Sequence, residues 1–190
     1  MFLSASVPLP SRDPVYFNTA DVICIRDAIR ALTMMVIEQQ LQLVFGGHPA
    51  ITLMIRLQIA QSSIPVGERF ARFQSRYFKH DFARDNIVFE HVILTDVMQN
   101  DRQASLQHMR EIMLAQPFHI GIFIGGMEGV EEEYHMFQSL QPNTPAYPIA
   151  STGVAAVRIF NDNLNLQRKY PELLNELSYL TLMRDLINRS

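Results

Sequence analysis

Two short apolar runs in the sequence end at a pair of adjacent glycines. Leu41–Phe45 leads into Gly46–Gly47, and Phe118–Ile124 leads into Gly125–Gly126, and a helical pattern follows each pair. A buried strand that turns into a helix at glycines brings backbone N–H groups together at the start of that helix. Such a turn is suited to binding phosphate. Two turns of this kind in one chain predict a nucleotide site.

Three consecutive glutamates follow the second turn. Glu131, Glu132 and Glu133 fall at the start of the predicted helix, where each carboxylate gains about 0.3–1 kcal/mol from the helix dipole. The buried stripe of this helix includes Val130 and Tyr134, so we expect Glu133 to lie beside the stripe and face a cleft. Glu131 and Glu132 are expected to face solvent. The pattern is compatible with stabilisation of the helix start and also with chemistry on a ligand.

Arg110 is the candidate partner of these carboxylates. It lies on the predicted helix before the second glycine turn, directly after the core position Met109. A guanidinium near glycine-rich turns can bind phosphate through two parallel hydrogen bonds. The alternative interpretation is an arginine on the solvated face of its helix.

Polar residues at other strand ends complete the predicted site. His48 can donate to a phosphate or simply begin the following helix. The turn Ser151–Gly153 can bind an anion or cap a helix, and Ser4 and Ser6 lie toward the end of the first strand. The predicted ligand-binding residues are Ser4, Ser6, Gly46, Gly47, His48, Gly125, Gly126, Met127, Glu128, Gly129, Ser151, Thr152 and Gly153.

The remaining reactive side chains favour structural roles. Cys24 is the only cysteine and falls in a helical pattern, where a buried, inert thiol is expected. The histidines show no spacing typical of a metal site, so we expect neither a metal nor a cofactor. A basic run either binds a second phosphate or a partner subunit, or forms a solvated face. Its members are Arg69, Arg72, Arg76, Lys79 and Arg84.

Strands and helices alternate along the sequence, which predicts an α/β fold: a three-layer, Rossmann-like, mostly parallel sheet with helices on both faces. The predicted strands are Phe2–Val7, Leu41–Phe45, Arg69–Gln74, Ile87–Leu94, Phe118–Ile124 and Pro145–Ile149. The predicted helices are Ala20–Gln39, Ala50–Gln61, Arg102–Gln116, Val130–Leu140, Gly153–Phe160 and Pro171–Ile187. We expect a loop over Leu9–Asn18, a helix cap at Thr19, and a loop with a helical turn over Arg76–Asp85. Ligands of such sheets bind beyond the carboxyl ends of the strands, where both glycine turns fall.

Composition limits the protein class. The chain has 190 residues, 48% of them hydrophobic, and a net charge of −3, which predicts one domain over residues 1–190. The charge does not favour nucleic acid or an anionic membrane. No apolar stretch reaches the length of a membrane span, and the first residues lack the basic leader of a signal peptide. We therefore expect a cytoplasmic protein.

The two glycine turns and the arginine between them resemble those of the SLOG superfamily, named after the Smf/DprA and "lonely guy" proteins. The "lonely guy" phosphoribohydrolases carry a glycine-rich turn after the second strand, an arginine on a later helix and a P-G-G-x-G-T-x-x-E turn. Here the matching segments are Phe45–His48, Arg110 and Ile124–Glu133. Ile124 replaces the proline, Val130 replaces the threonine, and one extra residue separates the glycines.

The resemblance implies that Glu133 is a catalytic or ribose-contacting acid and that Arg110 is its partner. The segments Phe2–Ser6 and Gly46–Ala50 are most similar to SLOG sensors of bacterial antiviral loci. These sensors are associated with TIR or sirtuin-type partners and are thought to bind ADP-ribose or cyclic ADP-ribose derivatives. Related proteins are commonly homodimers. The chain is therefore expected to be a nucleotide sensor or, alternatively, an enzyme that cleaves a nucleotide N-glycosidic bond; a structural protein with a vestigial site is the third interpretation.

Overall fold

A six-stranded parallel sheet forms the centre of the protein. The computed structural model describes residues 1–9, 14–62, 69–81 and 91–189. The strand order is β4-β3-β2-β1-β5-β6, and every neighbouring pair is parallel. The strands are Phe2–Ser6 (β1), Leu43–Gly46 (β2), Phe70–Ser75 (β3), His91–Thr95 (β4), Gly121–Gly125 (β5) and Ala146–Ile149 (β6). The predicted α/β fold with a parallel sheet is confirmed.

Helices cover both faces of this sheet. They are Pro14–Phe17 (α1), Val22–Glu38 (α2), Pro49–Gln61 (α3), Arg102–Leu114 (α4), Glu128–Leu140 (α5), Val154–Asn161 (α6), Leu164–Lys169 (α7), Glu172–Asn175 (α8) and Tyr179–Asn188 (α9). Short 3₁₀ segments occupy Arg76–Asp81 and Ala150–Thr152. α2 packs against α3 and α9, and α5 packs against α4 and α6. No helix of the described ranges combines the length and apolar character needed to cross a membrane.

An aromatic cluster fixes α5 on the sheet. Phe2 of β1 stacks on Phe137 of α5, with ring centroids 5.5 Å apart, and both contact Phe123 of β5. Gly121 lies beneath Phe137, where an added Cβ would come within 2.8 Å of the ring. Burial of each such ring contributes about 1.5–3 kcal/mol, so the position of α5 over β1 and β5 is strongly determined.

The start of α2 differs from the prediction. Asp21 caps the helix by accepting a hydrogen bond from the Cys24 amide at 2.9 Å. Thr19, the predicted cap, instead donates to the carbonyls of Val15 and Tyr16 at the end of α1. The predicted loop Leu9–Asn18 is wrong over Pro14–Phe17, which form the short helix α1, and residues 10–13 of it lie outside the described residues. A hydroxyl that bonds backward to the preceding turn is no longer available to cap forward.

The predicted closing helix Pro171–Ile187 is two helices. α8 ends before Glu176, whose backbone is extended and whose side chain accepts a hydrogen bond from the Ser178 amide at 2.6 Å. α9 begins only at Tyr179. A local side-chain bond to the backbone competes with the helical bond and so breaks the helix.

The middle of the chain is described only in part. Arg69–Gln74 was predicted as a strand and overlaps β3, and the predicted strand Ile87–Leu94 overlaps the start of β4. Residues 82–90 lie outside the described residues, and so does the predicted basic residue Arg84.

Both glycine turns lie at the carboxyl edge of the sheet. Gly46 ends β2 and Gly125 ends β5, and these two strands flank β1 on either side. Strands β1 to β4 are added in order along one side of β1, and the chain then crosses to the other side of β1, where β5 and β6 lie. The reversal between β1 and β5 is the type of position at which parallel sheets bind ligands.

Gly125 is one of the turn glycines that cannot accept a side chain without strain. Its φ is +58°, and a Cβ there would lie 2.6 Å from Ile25 Cδ1. We predict that Gly125→Ala lowers the free energy of unfolding by about 2–4 kcal/mol, through backbone strain and overpacking. Urea unfolding measures this difference.

Gly46→Ala is the matched control. The nearest atom to a Cβ at Gly46 is Met109 Cε at 3.9 Å, and no positive φ is required there. We expect a change below about 1 kcal/mol at this position. Equal destabilisation by both substitutions would contradict the analysis.

Candidate functional site

Most amides of the two glycine turns are already bonded within the protein. Gly47 donates to the Phe73 carbonyl and His48 to the Gly46 carbonyl, each at 2.9 Å. Gly126 donates to the Ser6 carbonyl at 3.0 Å, and Gly125 donates to Thr152 Oγ1 at 2.8 Å. A phosphate at this edge must therefore be bound by other donors than these four.

The start of α5 offers such donors. The helix is preceded by Met127, whose side chain makes no capping hydrogen bond. Within the described part of the chain, no acceptor meets the amides of Glu128 and Gly129. The first amides of a helix point outward along its axis and carry the positive end of the helix dipole. This helix start lies directly beyond β5 and can bind an anion.

Arg110 lies on α4 and is buried against α5. Only 8% of its side chain is exposed. Its Nη1 forms an ion pair with Glu132 Oε2, and its Nε donates to Glu133 Oε1 at 3.2 Å. Gly129 makes room for this guanidinium, because a Cβ there would lie 2.9 Å from Nη2. The structure thus brings together Arg110 and Glu133, which were singled out in the sequence, and adds Glu132.

Glu133 is the more deeply buried of the two carboxylates. Its side chain is 14% exposed, whereas that of Glu132 is 45% exposed. The buried hydroxyl of Ser4 on β1 also faces Glu133, and its oxygen has no other polar partner in the described ranges. Burial raises the pKa of Glu133, although Arg110 and Ser4 act in the opposite direction. Burial prevails because the cost of removing the carboxylate charge from water is the largest of these effects.

This arrangement has a defined chemical capacity. The charge of Arg110 is compensated inside the protein, so the guanidinium is not free to hold a phosphate as the sequence suggested. A carboxyl group that is fixed by a guanidinium can accept hydrogen bonds from sugar hydroxyls. With a raised pKa it can also donate a proton. The helix start supplies the anion-binding part of the site.

Glu131 has a different environment from its two neighbours. It accepts a hydrogen bond from the Tyr16 hydroxyl at 2.8 Å, and Arg158 Nη1 lies 3.8 Å away. The Arg158 guanidinium stands 4.2 Å from the centroid of the Tyr16 ring. Burial, followed by the hydrogen bond to Glu131, raises the pKa of Tyr16 to about 12. Glu131 therefore ties α1 to α5 and α6.

The turn Ser151–Gly153 is enclosed rather than open. Thr152 is fully buried, accepts from the Gly125 amide and donates to the Ile149 carbonyl. Gly153 has a φ of +75° and pairs with Ala20, so the chain between α1 and α2 covers this turn. The Ser151 hydroxyl faces Tyr179. Through its hydrogen bond to the Gly125 amide, Thr152 fixes the Gly125 turn, a role that the sequence pattern did not indicate.

The other predicted residues are more dispersed. The side chain of His48 does not cap α3, and Ser6 lies half-buried at the end of β1. In the basic run, Arg72 is buried in β3, whereas Arg76 is exposed and pairs with Asp96 at 2.9 Å. These arginines do not share one surface. Cys24 is half-buried, and burial raises the pKa of its thiol.

A separate hollow of about 560 Å³ lies on the α6 side of α5. Its lining includes Tyr134 and His135 from α5 and Arg158 and Asp162 from the end of α6. No motif in the sequence pointed to this hollow, because its walls come from α5, α6 and the two residues that follow α6, which share no pattern.

Comparison with known proteins places the chain in a family. The family model of the SLOG cluster3 family matches residues 15–187. No curated protein matches. An X-ray structure of the structural-genomics target TM1055 aligns with a TM-score of 0.62 over 97% of both chains, at 12% identity. At this identity the likeness shows the fold alone. Since the family model covers most of its length, the chain belongs to the SLOG cluster3 family.

Proposed function

We propose that the protein binds a nucleotide derivative of the ADP-ribose or cyclic ADP-ribose type and acts as a sensor. The binding position is the carboxyl edge of the sheet, between α4 and the start of α5. One observation carries this proposal: buried Arg110, paired with buried Glu133 and with the more exposed Glu132, lies beside helix amides that have no acceptor among the described residues. Carboxylates and free amides suit the two parts of a sugar phosphate.

The two parts of such a ligand would meet different groups. The ribose hydroxyls donate to the Glu133 carboxylate, which Arg110 holds in place. The phosphates accept from the amides of Glu128 and Gly129 at the positive end of the helix dipole. A diphosphate attached to ribose satisfies both groups at once.

The family supports a signalling role for this binding. SLOG membership is consistent with a sensor in bacterial antiviral or nucleotide signalling. We propose a cytoplasmic homodimer that responds to the product of a TIR or sirtuin-type partner, which consumes NAD. The chain itself then requires no cofactor.

A binding measurement tests the role of Glu133. We predict that ADP-ribose binds the wild type and that Glu133→Gln weakens binding by about 10-fold or more, since a hydrogen bond to a charged group contributes about 1.5–3 kcal/mol. Isothermal titration calorimetry gives both dissociation constants. Thermal stabilisation is a second readout, because ligand at about 100 times its dissociation constant adds about 2.7 kcal/mol.

Glu111→Gln is the matched control for this substitution. Glu111 follows Arg110 on α4, but its carboxylate accepts from Gln107 on the exposed side of the helix. Its replacement should leave the affinity unchanged. Unchanged affinity in Glu133→Gln as well would remove Glu133 from the site.

A second candidate function is hydrolysis of a nucleotide N-glycosidic bond. The raised pKa of buried Glu133 favours it, because a protonated carboxyl can donate to a departing base. In this reaction water adds to the anomeric carbon as its bond to the base breaks; the base leaves with the proton of Glu133, and the proton that the water loses restores the Glu133 carboxyl. Val130 stands at the threonine position of the hydrolase pattern, and an extra residue separates the glycines. Both departures favour the sensor.

Product analysis separates the two functions. The purified chain is incubated with adenosine monophosphate, NAD and cyclic ADP-ribose, and the products (free adenine, free nicotinamide and linear ADP-ribose, respectively) are measured by chromatography. The sensor predicts binding without release. Release that Glu133→Gln abolishes would establish the hydrolase instead.

A further inference from the structure

Two consecutive carboxylates share one guanidinium at the start of α5. Successive helix residues point about 100° apart, yet Glu132 reaches Nη1 of Arg110 and Glu133 reaches Nε. Both contacts are possible because Arg110 extends beneath the helix at Gly129, which has no side chain. The pairing therefore requires the glycine at position 129 as well as the two glutamates.

We propose that Glu132 is a positioning residue of this site: it neutralises Arg110 and so leaves Glu133 available to the ligand. The proposal rests on the proposed function for its biological meaning. It extends that function by a residue outside the pattern of the related hydrolases, in which only Glu133 and Arg110 have counterparts.

The different exposure of the two carboxylates supports this division of roles. Water reaches Glu132, whose side chain is 45% exposed, so this carboxylate keeps part of its hydration while it pairs with Arg110. Glu133 is nearly enclosed, and burial raises its pKa. Glu132 is thus the hydrated counter-ion of Arg110, and Glu133 is the enclosed carboxyl that faces the ligand position.

Few other groups act on Glu133. Arg110 faces it from α4, Glu132 from α5 itself, and the Ser4 hydroxyl from β1. Arg158 of α6 lies against Glu131 instead, and β6 turns Tyr147 toward Tyr170. β5 carries no titratable side chain. Besides burial, the charged groups that act on the titration of Glu133 are therefore Arg110 and Glu132.

Removal of the Glu132 charge is expected to change the pKa of Glu133 in one direction. Glu132→Gln deletes a negative charge next to Glu133 and leaves Glu133 as the sole counter-ion of Arg110. Both changes favour the ionised form of Glu133, so its pKa falls. The free energy of unfolding of the same variant reports separately what Glu132 contributes to stability.

Carbon-13 NMR of the full chain, labelled at the glutamate carboxyl groups, measures the displacement without any ligand. The Glu133 signal is the one that disappears in Glu133→Gln. We expect its titration midpoint to fall by about one pH unit in Glu132→Gln, to stay in place in Glu111→Gln, and to return toward the wild-type value in Glu132→Asp, which keeps the charge.

A midpoint that does not change in Glu132→Gln would overturn the proposal. ADP-ribose calorimetry on the same variants separates this result from the proposed function. If the midpoint shifts but ADP-ribose fails to bind the wild type, the positioning role of Glu132 stands and the ADP-ribose assignment fails. If the ligand binds but the midpoint stays fixed, the positioning role fails alone.

Discussion

The buried guanidinium of Arg110 is the interaction on which this site depends. A charge removed from water is tolerated only when it is paired and hydrogen-bonded, and Arg110 meets this requirement through Glu132 and Glu133. The pairing joins α4, which packs on β3 and β4, to the first turns of α5, which packs on β1 and β5. Gly129 is part of the same constraint, since a side chain there would displace the guanidinium.

The glycine turns serve this site in a different way from the one their pattern suggests. Their own amides bond to Phe73, Ser6 and Thr152 and thereby fix the path of the chain at the sheet edge. Gly125 is required because α2 packs closely on the turn through Ile25. The free donors belong to the next residues, at the start of α5. The glycine pairs therefore fix the position of the anion site, but the donors that bind the anion lie in the residues that follow them.

The sequence predicted the sheet well, because each strand has a local signature. Apolar runs such as Phe118–Ile124 and Leu41–Phe45 correspond to β5 and β2, since a strand buried on both faces needs a continuous run of apolar residues. The helix ends were predicted less well. Thr19 bonds backward to α1 and Glu176 bonds forward to Ser178, and such choices between near-equal hydrogen bonds depend on the surrounding packing.

The candidate site also has a part that the sequence predicted and a part that it did not. By itself the sequence determined the parallel α/β fold and the two glycine turns. Its pattern also singled out Glu133 and Arg110, because the spacing of residues within a turn or a helix is local information. Only the tertiary structure decided that Glu132 joins Arg110, that Thr152 closes on Gly125, and that Glu131 receives Tyr16 from 115 residues away. Those contacts arise where separate helices pack across the sheet, and the crossing of two helices is set by their packed surfaces rather than by any periodicity along the chain.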